Sequence, residues 1–226
     1  MPNIIPTGTN FPRRINMYVP SMQYSMDVNI NGACRSNFGA PLASSAAIVG
    51  SGMSIAVAGT FDLTGVTPFP EPFGRTVAIV ASGAASSAVT LNGWDYLHQP
   101  ISETFTLNGT TPVQGKKAFK DFNNLSLSAV TAGTTVNIGS GTGLGLPYKA
   151  LRVGWEVANG AAVAAGTLTP AVLTDPQTAT TGDPRGTYVP TTTLNGTNII
   201  SAVFDYVNDV NSSNNGGLHG IRQFAA

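Results

Sequence analysis

Short runs in which apolar and polar side chains alternate with period two recur along the chain, and Gly, Asn and Pro fill the gaps between them. In residues 103–107, Thr104 and Thr106 oppose Phe105 and Leu107; in residues 122–128, Leu125 and Leu127 alternate with Ser126 and Ser128. This is the period of a pleated strand with one buried face. Residues 75–81 are nearly continuous in β-branched residues and Ala, as a strand buried on both faces requires. Further runs at 54–61, 87–91, 134–138, 149–157, 167–173 and 199–206 complete the set. Their spacing of roughly 8–15 residues is that of an all-β sandwich or barrel. No stretch of about twelve residues holds a clean helical stripe without Gly or Pro. A short helix over residues 41–48 rests on Ala content alone. The expected fold is therefore all-β, an antiparallel β-sandwich such as a jelly-roll, with extended N- and C-terminal arms.

Turn chemistry divides these runs. Leu-Asn-Gly occurs at residues 91–93, 107–109 and 194–196, and Asn-Gly tolerates positive φ at both centres of a tight hairpin. All three are expected as turns. Gly139-Ser140-Gly141-Thr142-Gly143-Leu144-Gly145 lacks the Gly-Lys-Ser/Thr ending of a phosphate loop, so a wide loop or β-bulge is expected there. Asp183-Pro184-Arg185-Gly186-Thr187-Tyr188 reads as a turn and a short extended piece at an exposed rim.

Three regions follow: an N-terminal extended arm over 1–49, a β-sandwich core over 50–206 and a C-terminal tail over 207–226. Pro2, Pro6, Pro12 and Pro20 keep the start of the arm extended. It either docks on another molecule or covers the domain's own sheet edge. The Asn- and Gly-rich tail ends in Leu218-His219-Gly220-Ile221-Arg222-Gln223-Phe224 and reads as a tether.

Composition narrows the function. Hydrophobic residues at 42% exclude a disordered chain. Eleven basic residues balance eleven acidic ones, against the basic excess that nucleic acid demands. Charged residues make up only 10%, which suits a surface that ends up against other subunits. Cys34 is the only cysteine, so no internal disulfide or thiolate-rich zinc site is expected, and an intracellular origin is. The first twenty residues lack signal-peptide order, and no apolar run reaches membrane-spanning length.

Candidate chemistry is sparse. Asp95 and Glu103 flank a hairpin and form the best carboxylate pair for acid–base work; the structural alternative makes Asp95 a turn cap and Glu103 an exposed strand residue. His98 and His219 are the only imidazoles, there is no Gly-x-Ser-x-Gly elbow, and no metal-binding spacing appears. No cofactor is expected. Lys116, Lys117 and Lys120 read as guards of an edge strand. Trp94 and Tyr96 beside Asp95 are the available platform for a sugar, while Trp155 alternates with Val153 and Val157 and is expected in the core.

Three segments occur in a telling order. Gly93-Trp94-Asp95-Tyr96 leads into Ser102-Glu103-Thr104-Phe105-Thr106-Leu107-Asn108-Gly109-Thr110-Thr111-Pro112-Val113 and Lys117-Ala118-Phe119-Lys120; next come residues 138–148; last is Thr181-Gly182-Asp183-Pro184-Arg185-Gly186-Thr187-Tyr188. Together they resemble a widespread group of tailed-bacteriophage virion proteins. The resemblance covers roughly residues 75–224, about two-thirds of the chain. It implies a capsid decoration (cement), neck or tail accessory subunit, assembled into the virion in the host cytoplasm, and brings no catalytic residues.

The expected function is thus a non-enzymatic virion structural protein, with a capsid-decorating cement role favoured over a neck, collar or tail subunit. A carbohydrate-binding receptor module is the alternative of another class. The expected partners are the major capsid protein or other virion proteins, and further copies of the chain: a trimer for a cement, a ring of about six or twelve for a neck. Neither nucleic acid nor membrane is expected as a partner. Apolar and Arg side chains in otherwise loop-like termini are the expected interface anchors: Phe11, Arg13, Arg14 and Tyr18 at one end, Leu218, Ile221, Arg222 and Phe224 at the other.

Overall fold

A computed structural model of the chain describes residues 33–54, 59–128, 134–206 and 219–221. The alternating runs become strands: β1 (Ala33–Gly39), β2 (Gly50–Ser54), β3 (Gly59–Asp62), β4 (Arg75–Ala81), β5 (Ala88–Trp94), β6 (Pro100–Thr106), β7 (Val113–Gln114), β8 (Asp121–Leu127), β9 (Thr135–Gly145), β10 (Ala150–Ala158), β11 (Ala161–Val163), β12 (Thr167–Thr169), β13 (Thr187–Val189) and β14 (Ile200–Tyr206). They form three antiparallel sheets. The first has the order β1-β14-β10-β11; the second is β12-β13-β9-β4-β7, with β2 also on β9; the third is β3-β8-β5-β6. Among the described residues there is no helix, and the fold is all-β and sandwich-like, as the alternation predicts.

Two hydrophobic clusters hold the sheets together. The larger lies between the second and third sheets and includes Val77, Ile79, Val89, Leu91, Phe105, Phe119, Phe122, Leu125 and Ile138. The second joins the first sheet to the other end of β9 and includes Phe38, Leu144, Tyr188, Ile200, Phe204 and Tyr206. The 11-residue β9 serves both, with Val136 and Ile138 in one cluster and Leu144 in the other.

Several expectations change. Part of the segment read as an arm is core: β1 pairs with β14 from Ala33↔Asp205 to Gly39↔Ile200, and Phe38 is buried. Residues 41–48 form no helix. They run along β9, where Ser45 N donates to Ser140 Oγ at 3.0 Å and Ser140 N to the Ser45 carbonyl at 2.8 Å. A Cβ at Gly139 would collide with that carbonyl, so the glycine run lets two backbones touch and is strand rather than loop. Its bulge is real: Arg75 pairs with Leu144 and Val77 with Ser140, leaving extra residues on β9. Gly143 N meets Thr76 Oγ1 inside that bulge at 3.0 Å.

Leu91-Asn92-Gly93 is not a turn. It lies within β5, where Gly93 sits at a register shift against the Asp121 carbonyl. The other two Leu-Asn-Gly sites are turns, with φ of +54° at Gly109 and +76° at Gly196. Trp155 is 49% exposed rather than in the core. Register shifts between Ala150 and Arg152 and between Val153 and Trp155 break the alternation of β10. A one-residue slip exchanges the two faces of a strand, so Glu156 turns inward and Trp155 outward.

Candidate functional site

Both carboxylates considered for acid–base work, and seven other ionisable side chains, lie inside. Glu71, Arg75, Asp95, Glu103, Lys117, Lys149, Glu156, Asp183 and Arg185 are all buried. A buried charge is tolerated only when paired and hydrogen-bonded, and the geometry shows what these charges hold.

The turn after β5 brings Asp95 against Arg185. Asp95 Oδ1 accepts from the backbone N–H of Leu97 and of Gln99, each at 2.8 Å, and Oδ2 accepts from Arg185 Nη2 at 2.9 Å. The Arg185 guanidinium lies 4.9 Å from the centroid of the Tyr96 ring, whose hydroxyl donates to the Pro147 carbonyl. Asp183 accepts from Arg185 N at 2.8 Å and Ala118 N at 3.1 Å. Burial opposes the Arg185 charge, but the Asp183 and Asp95 carboxylates outweigh it and hold its pKa above the ordinary value. Burial pushes the Tyr96 hydroxyl up to about 12. The segment expected at an exposed rim is thus a buried clasp, although its turn and short strand are as expected.

Glu103 is also inside, not on an exposed face. Its register partner is Leu91, so it shares the core face of the third sheet. Its two oxygens accept from Lys116 N at 2.6 Å and Lys117 N at 3.2 Å. Burial prevails over these bonds and pushes the carboxyl up to about 7. Lys117 is buried and donates Nζ to the Thr178 carbonyl at 2.9 Å; Lys120 donates to the carbonyls of Phe69 and Glu71. These lysines tie loops together and do not guard an edge. Arg75 heads β4 and reaches the carbonyls of Gly141 and Leu42, each at 2.7 Å, and Glu71 Oε1 at 3.0 Å. Glu156 accepts from Tyr188 Oη at 2.6 Å and from the N–H groups of Thr191 and Thr192 at 2.9 Å.

Chemically, these groups clamp backbone. Asp95 and Glu103, the pair considered for acid–base work, are each occupied by two backbone N–H groups. Asp95 does cap its turn. His98 is exposed on that turn with φ +56°, while Cys34 lies on β1 against the second cluster. The sugar platform is not assembled: Asp95 is fully buried, and Tyr96 packs edge-on to Phe73 at 5.6 Å. No group of three metal-ligating side chains occurs among the described residues.

Of the expected interface anchors, Phe11, Arg13, Arg14, Tyr18, Leu218, Arg222 and Phe224 lie outside the described residues. Ile221 is half-buried. Just before it, the His219 ring stands 5.2 Å from Tyr148, and Gly220, at φ +73°, sits against the Pro184 carbonyl. This short stretch of the tail therefore rests on the core beside the Arg185 clasp. A surface feature that sequence reading missed is on the first sheet. Leu151 (64% exposed) and Trp155 lie on β10, and Ile199 (56% exposed) directly precedes its neighbour β14. Trp155 stands opposite Val203, and Arg152 pairs with Asp205 on the same outer face.

Comparison with protein-family models, with curated proteins and with solved structures found no match for this chain.

Proposed function

We propose that the chain is a non-enzymatic structural protein of a bacteriophage virion, a capsid-decorating cement subunit that meets its neighbours through its termini and the outer face of the first sheet. The observation that carries the reading is that outer face. Large apolar side chains stand exposed on β10 and next to β14, while nine charged side chains among the described residues are buried. Exposed apolar patches of this kind mark protein–protein contact, and a chain with only 10% charged residues carries less charge than usual to oppose association. The order of the segments described above, which resembles that of tailed-phage virion proteins, sets the biological context.

Truncation of residues 1–20 or 210–226 tests it. Each truncation is expected to abolish incorporation into particles while the core still folds, as judged by circular dichroism. Incorporation of both truncated forms at the level of the intact chain overturns the reading. Counting copies by density in particle micrographs separates a cement from a neck ring: a cement is present in hundreds of copies, a ring in about six or twelve.

A further inference from the structure

Strand register lays out the outer face of the first sheet row by row, with β14 in the middle. Asp205 stands between Arg152 of β10 and Ala33 of β1, Val203 between Trp155 and Arg35, and Ser201 between Val157 and Asn37. Ile199 continues the alternation of β14 onto the same face and is exposed. Apolar side chains thus run down the centre, with an aromatic ring on one flank and a cation on the other. Trp155 and Arg35 are both exposed. Arg35 Nε donates to Ser201 Oγ at 2.8 Å, which tethers the guanidinium to this face.

That layout is complementary to itself. A half-turn about an axis along β14 brings β14 of one copy onto β14 of another and lays each β10 over the other copy's β1. Val203 then meets Val203, Ile199 meets Ile199, and each Trp155 meets the Arg35 of the other copy. Adjacent strands are about 4.8 Å apart, so Trp155 and Arg35 lie equally far from the axis on opposite sides, and both contacts form at once. A guanidinium over an indole ring is a favourable cation–π pair, and Trp and Arg are the residues that most often anchor interfaces. Asp205 also lies on the axis, but each copy pairs it with its own Arg152.

We propose that this face receives a second copy of the chain, related by a twofold axis along β14 and anchored by reciprocal Trp155–Arg35 contacts. The pairing rests on the reading of this face as a contact surface and adds the partner. An exposed Trp alone suits any apolar surface. A cation and an aromatic ring placed symmetrically about an apolar axis suit another copy, because a closed isologous pair requires a patch that matches itself. Four strands and the 7 residues of β14 give a face of about 15 Å by 23 Å. This is smaller than a standard interface, so the pair is weak and separates on dilution.

Sedimentation of the full chain at concentrations up to about 500 μM tests the pairing. The parent is expected to show a monomer–dimer equilibrium, and Trp155→Ala and Arg35→Ala each to weaken it about tenfold, with folding checked by circular dichroism. An equimolar mixture of the two variants is expected to pair more tightly than either alone, because unlike copies regain one Trp155–Arg35 contact; a role confined to one copy gives no such rescue. Val203→Cys, on the axis, is expected to yield a covalent dimer on oxidation. The parent, whose only cysteine is Cys34 against the second cluster, is expected to stay uncrosslinked. A parent that remains monomeric throughout overturns the pairing of copies; if Trp155→Ala still lowers particle incorporation in that case, the contact surface stands and its partner is a different protein. A dimer that neither variant weakens, or a mixture no tighter than its components, overturns the twofold register.

Discussion

Replacing Asp95 with Asn removes a charge and little volume, and its cost follows from the Arg185 clasp. The Asp95–Arg185 pair is buried on both sides, with side-chain exposure of 0% and 1%. Among the described residues, Arg185 Nε and Nη1 have no hydrogen-bond partner, so the bond from Nη2 to Asp95 is the guanidinium's main tie. Breaking one side of such a pair costs roughly 3–5 kcal/mol, because an uncompensated charge stays buried. Asp183 remains close enough to favour the Arg185 charge, which puts the expected loss for Asp95→Asn near the lower end, about 3 kcal/mol. Asp95→Ala also removes the acceptor for Leu97 N and Gln99 N, at about 1 kcal/mol each, for a total of about 5 kcal/mol. For a chain of this size, the Asn variant is expected to melt about 6–12 °C lower. Urea unfolding at neutral pH measures the loss directly, with an unchanged slope reporting an unchanged fold. The double variant Asp95→Asn with Arg185→Met removes the stranded charge and is expected to recover a large part of the stability. Two results refute the reasoning: a loss below about 0.5 kcal/mol for Asp95→Asn, or a double variant no more stable than Asp95→Asn alone.

Other perturbations separate the remaining roles. Burial raises Glu103 to about 7 from an ordinary 4.5, so the native state holds this proton more tightly than the unfolded one. Its stabilisation is full below about pH 4.5 and is lost as pH rises through 7; Glu103→Gln is expected to flatten that fall in urea midpoints measured across the window, and equal slopes for parent and variant would refute the shift. Gly139→Ala drives a methyl group into the Ser45 carbonyl and is expected to cost about 1–3 kcal/mol, whereas Gly65→Ala, which meets open space, should stay within about 0.5 kcal/mol. Trp155→Ala is expected to leave stability within about 1 kcal/mol yet weaken association with particles or with other copies, read by sedimentation; unchanged association would remove Trp155 from the contact face.

The fold was legible where one period held without interruption. Residues 75–81 form β4 with the bounds read from the sequence, and the runs that became β5, β6, β8, β10 and β14 shifted by only a few residues. Reading failed where a backbone contact, not a side-chain pattern, decided the outcome. Gly93 and Gly139 look like turn and loop residues locally, but each is a point where a strand passes too close to a carbonyl for any Cβ. Trp155 was misplaced for a related reason. The register shifts in β10 invert the alternation partway along the strand, and nothing but Gly154 marks the spot in the sequence. β1 escaped notice because Cys34, Ser36 and Phe38 make a weak apolar face, and only pairing with β14 gives it a place.

The same distinction explains the charges. Charged residues are 10% of the chain, and a charge-poor sequence invites the view that the few charges lie on the surface. Instead, irregular connections around short strands leave backbone N–H and C=O groups buried, and each such group needs a partner. Carboxylates meet pairs of N–H groups at Asp95, Asp183, Glu103 and Glu156, and cations meet carbonyls at Arg75, Lys117 and Lys120. The sequence shows these residues but not their partners, which come from loops as many as 90 positions away, as for Arg185 and Asp95. Among the described residues, nine charged side chains are buried while Arg35, Asp62, Lys116, Arg152 and Asp175 stay exposed, so part of a small charge complement serves the loops. With that part turned inward, less charge is left outside to hold copies apart, which links the loops' need for partners to the association proposed above.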